Sequence, residues 1–163
     1  MTVYHGTTLE IRNPKILEHE VGRDFGFAFY TTDIREQAER WAVRRARLDG
    51  RRFKDVRPVV NVYEWTPPDG ALAVIEFQGA SMEWLEMVVR CRSERDFRHK
   101  YDIVIGKIAD DNVGETVSYV MQGIMRREDA LKRLRFEKIN NQIAFCSGRA
   151  LQTLHFVRSY AVE

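Results

Sequence analysis

Three stretches of this 163-residue chain hold side chains that could act on a small molecule. In Tyr4-His5-Gly6-Thr7 an imidazole stands beside a glycine whose bare backbone can approach a ligand closely, so the pair makes either a binding corner or a simple turn. Gly22-Arg23-Asp24-Phe25-Gly26 leads into Phe27-Ala28-Phe29-Tyr30-Thr31-Thr32, and strand alternation sends Phe27, Phe29 and Thr31 one way and Ala28, Tyr30 and Thr32 the other. Those rings are core, or one of them is offered to a ligand. Asn140-Asn141-Gln142 enters the apolar run Ile143-Ala144-Phe145-Cys146, and a buried amide left without partners costs about 1–3 kcal/mol. Three amides in a row therefore need either a neighbouring turn or a bound molecule.

Several other chemistries lose support at once. The sequence has no G-x-G-x-x-G, G-x-x-x-x-G-K-[ST], G-x-S-x-G or H-E-x-x-H motif, which argues against Rossmann, P-loop, hydrolase-elbow and zincin sites. His5, His19, His99 and His155 lack ligand spacing with Cys91 and Cys146, so no metal is expected, and the separated cysteines suggest neither a disulfide framework nor a zinc ribbon.

The elements that must position these residues follow from pattern. Strands are expected at residues 3–5 and 27–31, and Asp33-x-x-Glu36 resembles a capping box opening a helix to about Leu48. Residues 58–65 and 72–77 read as a hairpin around Pro67-Pro68-Asp69-Gly70. Ser81 should cap a helix to Arg92 with Leu85, Val88 and Val89 inward. A central strand at 101–108, short helices at 114–122 and 127–134 around Gly123, a strand at 142–146, a helical turn at 148–154 and a strand at 156–162 complete the chain. Strands without regular βαβ alternation predict an α+β fold of mostly antiparallel sheets with flanking helices in a single domain, residues 1–163.

Bulk properties agree with one folded unit. Apolar residues make 44% and charged residues 31%, too apolar for a disordered chain, and no run approaches the ~20 apolar residues of a membrane span. Neither a secretory leader nor a membrane partner is expected, and a cytoplasmic location is the simplest reading. The formal charge of +2 hides a basic segment of Arg40, Arg44, Arg45, Arg47, Arg51, Arg52, Lys54 and Arg57, which is either a solvated face or a phosphate-attracting patch.

Taken in order, these stretches resemble the ADP-ribosyltransferase superfamily, in a bacterial branch of short proteins catalogued as a domain of unknown function. The resemblance runs through Tyr4-His5-Gly6-Thr7, then Gly22 to Gly26 with Tyr30-Thr31-Thr32, Gln37-Ala38 and Trp41-Ala42, then Asn140-Asn141-Gln142 with Ala150-Leu151. Tyr101-Asp102-Ile103-Val104-Ile105-Gly106 and Phe156-Val157-Arg158-Ser159-Tyr160 fit the same branch. It implies a split two-sheet fold that clasps NAD⁺ as substrate. By that likeness His5 bonds a ribose hydroxyl, the Gly6 backbone pins the nicotinamide carboxamide, Tyr30 stacks on the nicotinamide ring and Gln142 bonds the 2′-hydroxyl of its ribose. Thr7, Arg23, Asp24, Phe25, Thr31 and Asn141 join the binding set.

The better-known enzymes carry glutamate where this chain has Gln142. Cleaving the bond between C1′ and nicotinamide develops positive charge on the ribose, and one carboxylate at ~4 Å and an effective dielectric of ~20 is worth about 4 kcal/mol, roughly a thousandfold in rate. Asp111 and Asp24, ahead of Asp110 and Glu137, are the candidates to replace it, although acids before a helix also serve as caps. The implied activity is mono-ADP-ribosyl transfer to a protein or nucleic acid, as in a bacterial toxin or effector with an antitoxin or regulatory partner. Two rivals are an NAD glycohydrolase and a non-catalytic NAD or ADP-ribose sensor. A third is a nucleic-acid module built on the basic segment and on the helix pair around Gly123, which loosely resembles a helix-turn-helix.

Overall fold

β-branched and aromatic residues fill the extended segments, while glycine, proline and short polar residues punctuate them. The computed structural model describes residues 1–18, 23–107, 111–135 and 141–163, without the side chains of Asp111 and Asn112. The chain runs β1 (Thr2–Thr7), β2 (Phe29–Thr31), α1 (Arg35–Asp49), β3 (Val59–Trp65), β4 (Val74–Glu76), α2 (Met82–Ser93), β5 (Ile103–Lys107), α3 (Asp111–Met121), α4 (Arg127–Leu134), β6 (Asn141–Phe145), α5 (Gly148–Leu151) and β7 (Leu154–Ala161). One sheet has the order β1-β3-β7 and the other β2-β6-β5-β4, and every pairing is antiparallel except β4 with β5. The architecture is thus α+β, with two mostly antiparallel sheets and flanking helices.

Alternation decides what each strand face buries. Val3, Tyr63 and Trp65 of the first sheet meet Phe29, Ile103, Ile143 and Phe145 of the second, forming a core between the sheets. The opposite face of the second sheet turns Tyr30, Val104 and Ala144 to Trp84, Leu85 and Val88 of α2, Val113 and Val117 of α3, and Ala130 and Leu134 of α4. Helix α1 covers the outer face of the first sheet, where Ala38 and Ala42 meet Val60, Tyr4 and Tyr160.

Two expectations are corrected. The segments expected as a hairpin lie in different sheets: β1 and β7 occupy both edges of β3, so the chain after Pro67-Pro68 crosses over and β4 pairs with β5 instead. Asp33 does not cap α1. The N-cap is Ile34, without a side-chain cap bond; the Ile34 N–H donates to Thr32 Oγ1 at 3.1 Å, and the Asp33 carboxylate accepts from Asn141 Nδ2 at 3.4 Å. Helices α3 and α4 pack on the second sheet through Val113, Val117, Ala130 and Leu134, and Arg127 pairs with Glu86 of α2 at 2.8 Å. Ser81, by contrast, caps α2 as expected, accepting from the Trp84 N–H at 3.1 Å.

Candidate functional site

The sheets touch edge to edge at one isolated bridge, where Tyr4 and Thr32 exchange hydrogen bonds of 2.8 and 2.9 Å. Two residues further along β1, antiparallel alternation turns the Gly6 N–H and C=O to that same edge, toward Tyr30. The strands part here, and His5 spans the gap: its Nδ1–H donates to the Tyr30 carbonyl at 2.7 Å. A carbonyl only accepts, so Nδ1 carries a proton and the bond fixes the orientation of the ring. The imidazole also stacks on Phe29, centroids 4.4 Å apart and planes inclined by 30°.

Gly6 is required on its other side by α1. A Cβ there would lie 2.0 Å from the Ala38 carbonyl oxygen and 2.8 Å from the Ala42 nitrogen, so only glycine lets the helix backbone rest on β1. That contact lays Trp41, Arg44, Arg45 and Leu48 along a cavity of about 530 Å³ whose far wall is His5, Gly6, Thr7, Phe29 and Tyr30. The volume suits a small-molecule ligand. Among the described residues, Lys15, Arg23, Arg44 and Arg45 bring four cations to the lining against one carboxylate, Asp49, which takes Arg45 at 3.1 Å and the Thr8 hydroxyl at 3.0 Å. The lining therefore favours an anionic ligand.

Tyr30 is among the cavity's lining residues, but it is only 5% exposed and its side chain packs in the core beneath α2. Its hydroxyl is spent inside the protein, donating to the Gly26 carbonyl and accepting from the Phe25 N–H at 3.1 Å, and burial holds its pKa far above the usual 10. The Arg23 guanidinium lies over the ring, 4.5 Å from its centroid. The phenol thus anchors the turn that carries Arg23, and the ring serves as a cation-binding surface.

The structure brings His5, Gly6, Thr7, Arg23 and Tyr30 to one cavity and leaves Asp24, Phe25, Thr31, Asn141 and Gln142 outside its lining. Gln142 is 3% exposed, paired with Gly106 across the second sheet, and its Nε2 has no partner among the described residues. Thr31 is buried with its hydroxyl donating to the Ile143 carbonyl at 3.0 Å. Asn141 bonds Asp33, and its carbonyl accepts from Gln37 Nε2 at 2.9 Å. Phe25 is wholly buried beside Gly106 and Phe77. Asp24 is committed to Arg92 of α2, an ion pair that fixes a turn. Asp111 opens α3 with its side chain outside the description, and His19, Gly22, Asp110, Glu137 and Asn140 lie outside the described residues.

Sequence reasoning gave no role to Trp41, Asp49 or the apolar rim of Leu9, Leu17 and Leu48. The signal for Trp41 was its helical neighbourhood, one position from Ala42 on the face that meets β1, but nothing in the sequence showed that β1 and β2 part there. Cysteine chemistry finds no footing, since both thiols are free but burial pushes each up to about 12. Among the described residues no group of His, Cys, Asp and Glu is gathered to hold a metal ion, and no helix is long and apolar enough to cross a membrane. No curated protein and no solved structure matches the chain. One family does, described as protein of unknown function (DUF3990); its match spans residues 1–156, and the chain belongs to that family.

Proposed function

We propose that the cavity between β1 and α1 binds NAD⁺ and that the protein is a mono-ADP-ribosyltransferase. The observation that carries this reading is the meeting of an orientation-fixed His5, the outward-turned Gly6 backbone and the Tyr30 ring in one cation-rich cavity. The residues fit the ligand. Gly6 supplies a donor and an acceptor matched to a carboxamide, His5 bonds a ribose hydroxyl, and the Tyr30 ring, which already carries one cation in Arg23, suits a pyridinium. Arg23, Arg44, Arg45 and Lys15 meet the pyrophosphate.

In the reaction the C1′–N bond breaks with its electron pair leaving on the nicotinamide nitrogen, which neutralises that ring. The sugar carbon then takes a lone pair from the acceptor, whose proton departs to solvent. The protein's part is to hold the ribose and pin the leaving group so that the sugar passes through its cationic state in one orientation. The test follows nicotinamide release and transfer of label from NAD⁺ labelled in its adenylate portion, for the wild type and His5→Ala, with folding of both checked by circular dichroism. Release that His5→Ala abolishes supports the reading; no release and no transfer at millimolar NAD⁺ removes it. Release without transfer identifies a glycohydrolase.

One observation favours a second reading, a binding-only NAD or ADP-ribose sensor: Gln142 stays outside the lining, and Asp49, the single carboxylate among the described lining residues, is engaged by Arg45. Calorimetry separates the two, because a sensor gives saturable NAD⁺ binding with no nicotinamide released.

A further inference from the structure

Residues 40–57 carry eight Arg and Lys against two acids, in a chain whose net charge is only +2. Arg40, Val43, Arg44 and Arg47 line one groove on the solvent face of α1, and Arg44 also lines the cavity, so groove and cavity share a wall. Two acids, Glu36 and Glu39, line the same groove, and Glu39 is taken by Arg35 at 2.8 Å and by the Tyr160 hydroxyl at 2.9 Å. Beyond α1 the basic track continues through Arg51, Arg52, Lys54 and Arg57, all exposed.

A second, independent feature sits in the middle of this track. Phe53 is 65% exposed, yet it is not on a loose loop: its N–H donates to the Asp49 carbonyl at 2.9 Å, the Arg52 N–H to the same carbonyl at 2.9 Å, and the Arg51 N–H to the Leu48 carbonyl at 3.3 Å. Asp55 closes the turn in the left-handed region at φ 59°. The turn thus holds a bare aromatic ring outward between guanidinium and ammonium groups. A row of cations recognises a polyanion, and a flat exposed ring within it recognises the face of an unpaired base. An acidic protein would use the charges but not the ring. A lipid surface would need an apolar helix face, whereas the apolar face of α1, Ala38 and Ala42, is buried on the first sheet.

We infer that the outer face of α1 and the turn through Phe53 form a binding surface for single-stranded nucleic acid, whose track ends at the mouth of the cavity. That the strand is the acceptor of ADP-ribose rests on the function proposed above; that it binds does not.

The experiment titrates full-length protein into a fluorescein-labelled, mixed-sequence 15-nucleotide RNA or DNA strand and reads anisotropy. With about four phosphates neutralised, affinity should fall roughly 50-fold between ~50 and ~200 mM salt. Phe53→Ala should weaken binding at least about fivefold and Phe53→Trp should keep it, because stacking tolerates any aromatic. The triple variant Arg40→Ala, Arg47→Ala, Arg51→Ala should lower the log–log salt slope by about 2 units, while Arg126→Ala on α4 should change nothing. No binding at low salt, indifference to Phe53→Ala, tighter binding of the duplex, or equal binding of phosphatidylserine vesicles would each overturn the inference. NAD⁺ titrated into the same samples reads the other claim separately: strand binding without NAD⁺ binding upholds this surface and defeats the NAD⁺ site, and the converse defeats this surface alone. Label passing from NAD⁺ to a bound strand establishes it as acceptor, and a bound strand that stays unlabelled while nicotinamide is released overturns that role.

Discussion

The two ends of β6 each bury a polar centre, and they are finished in opposite ways. Past its last residue, Asp102 gathers every partner a carboxylate can use: Ser147 Oγ at 2.6 Å, the Ala73 N–H at 2.9 Å and Arg149 at 3.2 Å, while its own carbonyl takes the Cys146 N–H at 2.7 Å. This one side chain ties the entry of β4, the entry of β5 and the cap of α5 together. At the first residues of the strand, Gln142 Nε2 and Gln37 Oε1 are buried without partners among the described residues, although the other amide atom of Gln37 bonds Asn141. An unmet buried donor or acceptor costs about 1–3 kcal/mol. The closed end is where the protein holds itself together; the unfinished end is where folding alone does not account for the residues.

Removing the closed centre should have the largest effect. Asp102→Ala strips partners from the Ala73 N–H and the Ser147 hydroxyl and should cost about 3 kcal/mol, a fall in Tm of roughly 6–12 °C by thermal denaturation. Under the proposed function, affinity for NAD⁺ should not change. A Tm within ~2 °C of wild type would erase the contrast.

Acid should sharpen it next. The Asp102 carboxyl is held below its ordinary 3.8 by the Ser147 hydroxyl first, then the Ala73 N–H and Arg149. Its folded pKa lies under its unfolded one, so the stabilisation is complete above the ordinary value and is lost as pH falls through the folded one. Wild type should therefore exceed Asp102→Asn in Tm at pH 6, and the gap should close below about pH 4. A gap that is constant with pH would show that the charge is not what matters.

The smallest effect belongs to the unfinished end. Gln142→Met, close in shape and free of the unmet N–H, should leave stability unchanged or raise it by up to about 1 kcal/mol, as chemical denaturation would report. Destabilisation on the scale of Asp102→Ala would mean that Gln142 is structural.

Much of this was legible in local pattern. Residue types announced the strands and helices because burial follows the two- and 3.6-residue periods, and the division of Phe27 to Thr32 between two faces reappears as Phe29 in the inter-sheet core and Tyr30 under α2. Ser81 was a readable cap because its helix begins in the open. Partner choice was not readable. The turn after Trp65 looked like a hairpin since local signals say nothing about β1 and β7 filling both edges of β3. The site divided along the same line. His5 and Tyr30 meet because antiparallel pairing fixes their register at the split, while Gln142, on the far side of β2, is buried by a sheet whose order no motif encodes.

The lone bridge of Tyr4 with Thr32 has a mechanical consequence. Strands joined by one backbone bridge and the His5 side chain are expected to meet as a pivot rather than a seam, with rings packed between the sheets, Phe29 against Tyr63 at 5.7 Å and Trp65 against Phe145 at 5.7 Å. Any guest that wedges between His5 and α1 levers on that pivot. The amide protons of Tyr4 and Thr32 are accordingly the place where hydrogen exchange should register occupancy at a distance from whatever is bound.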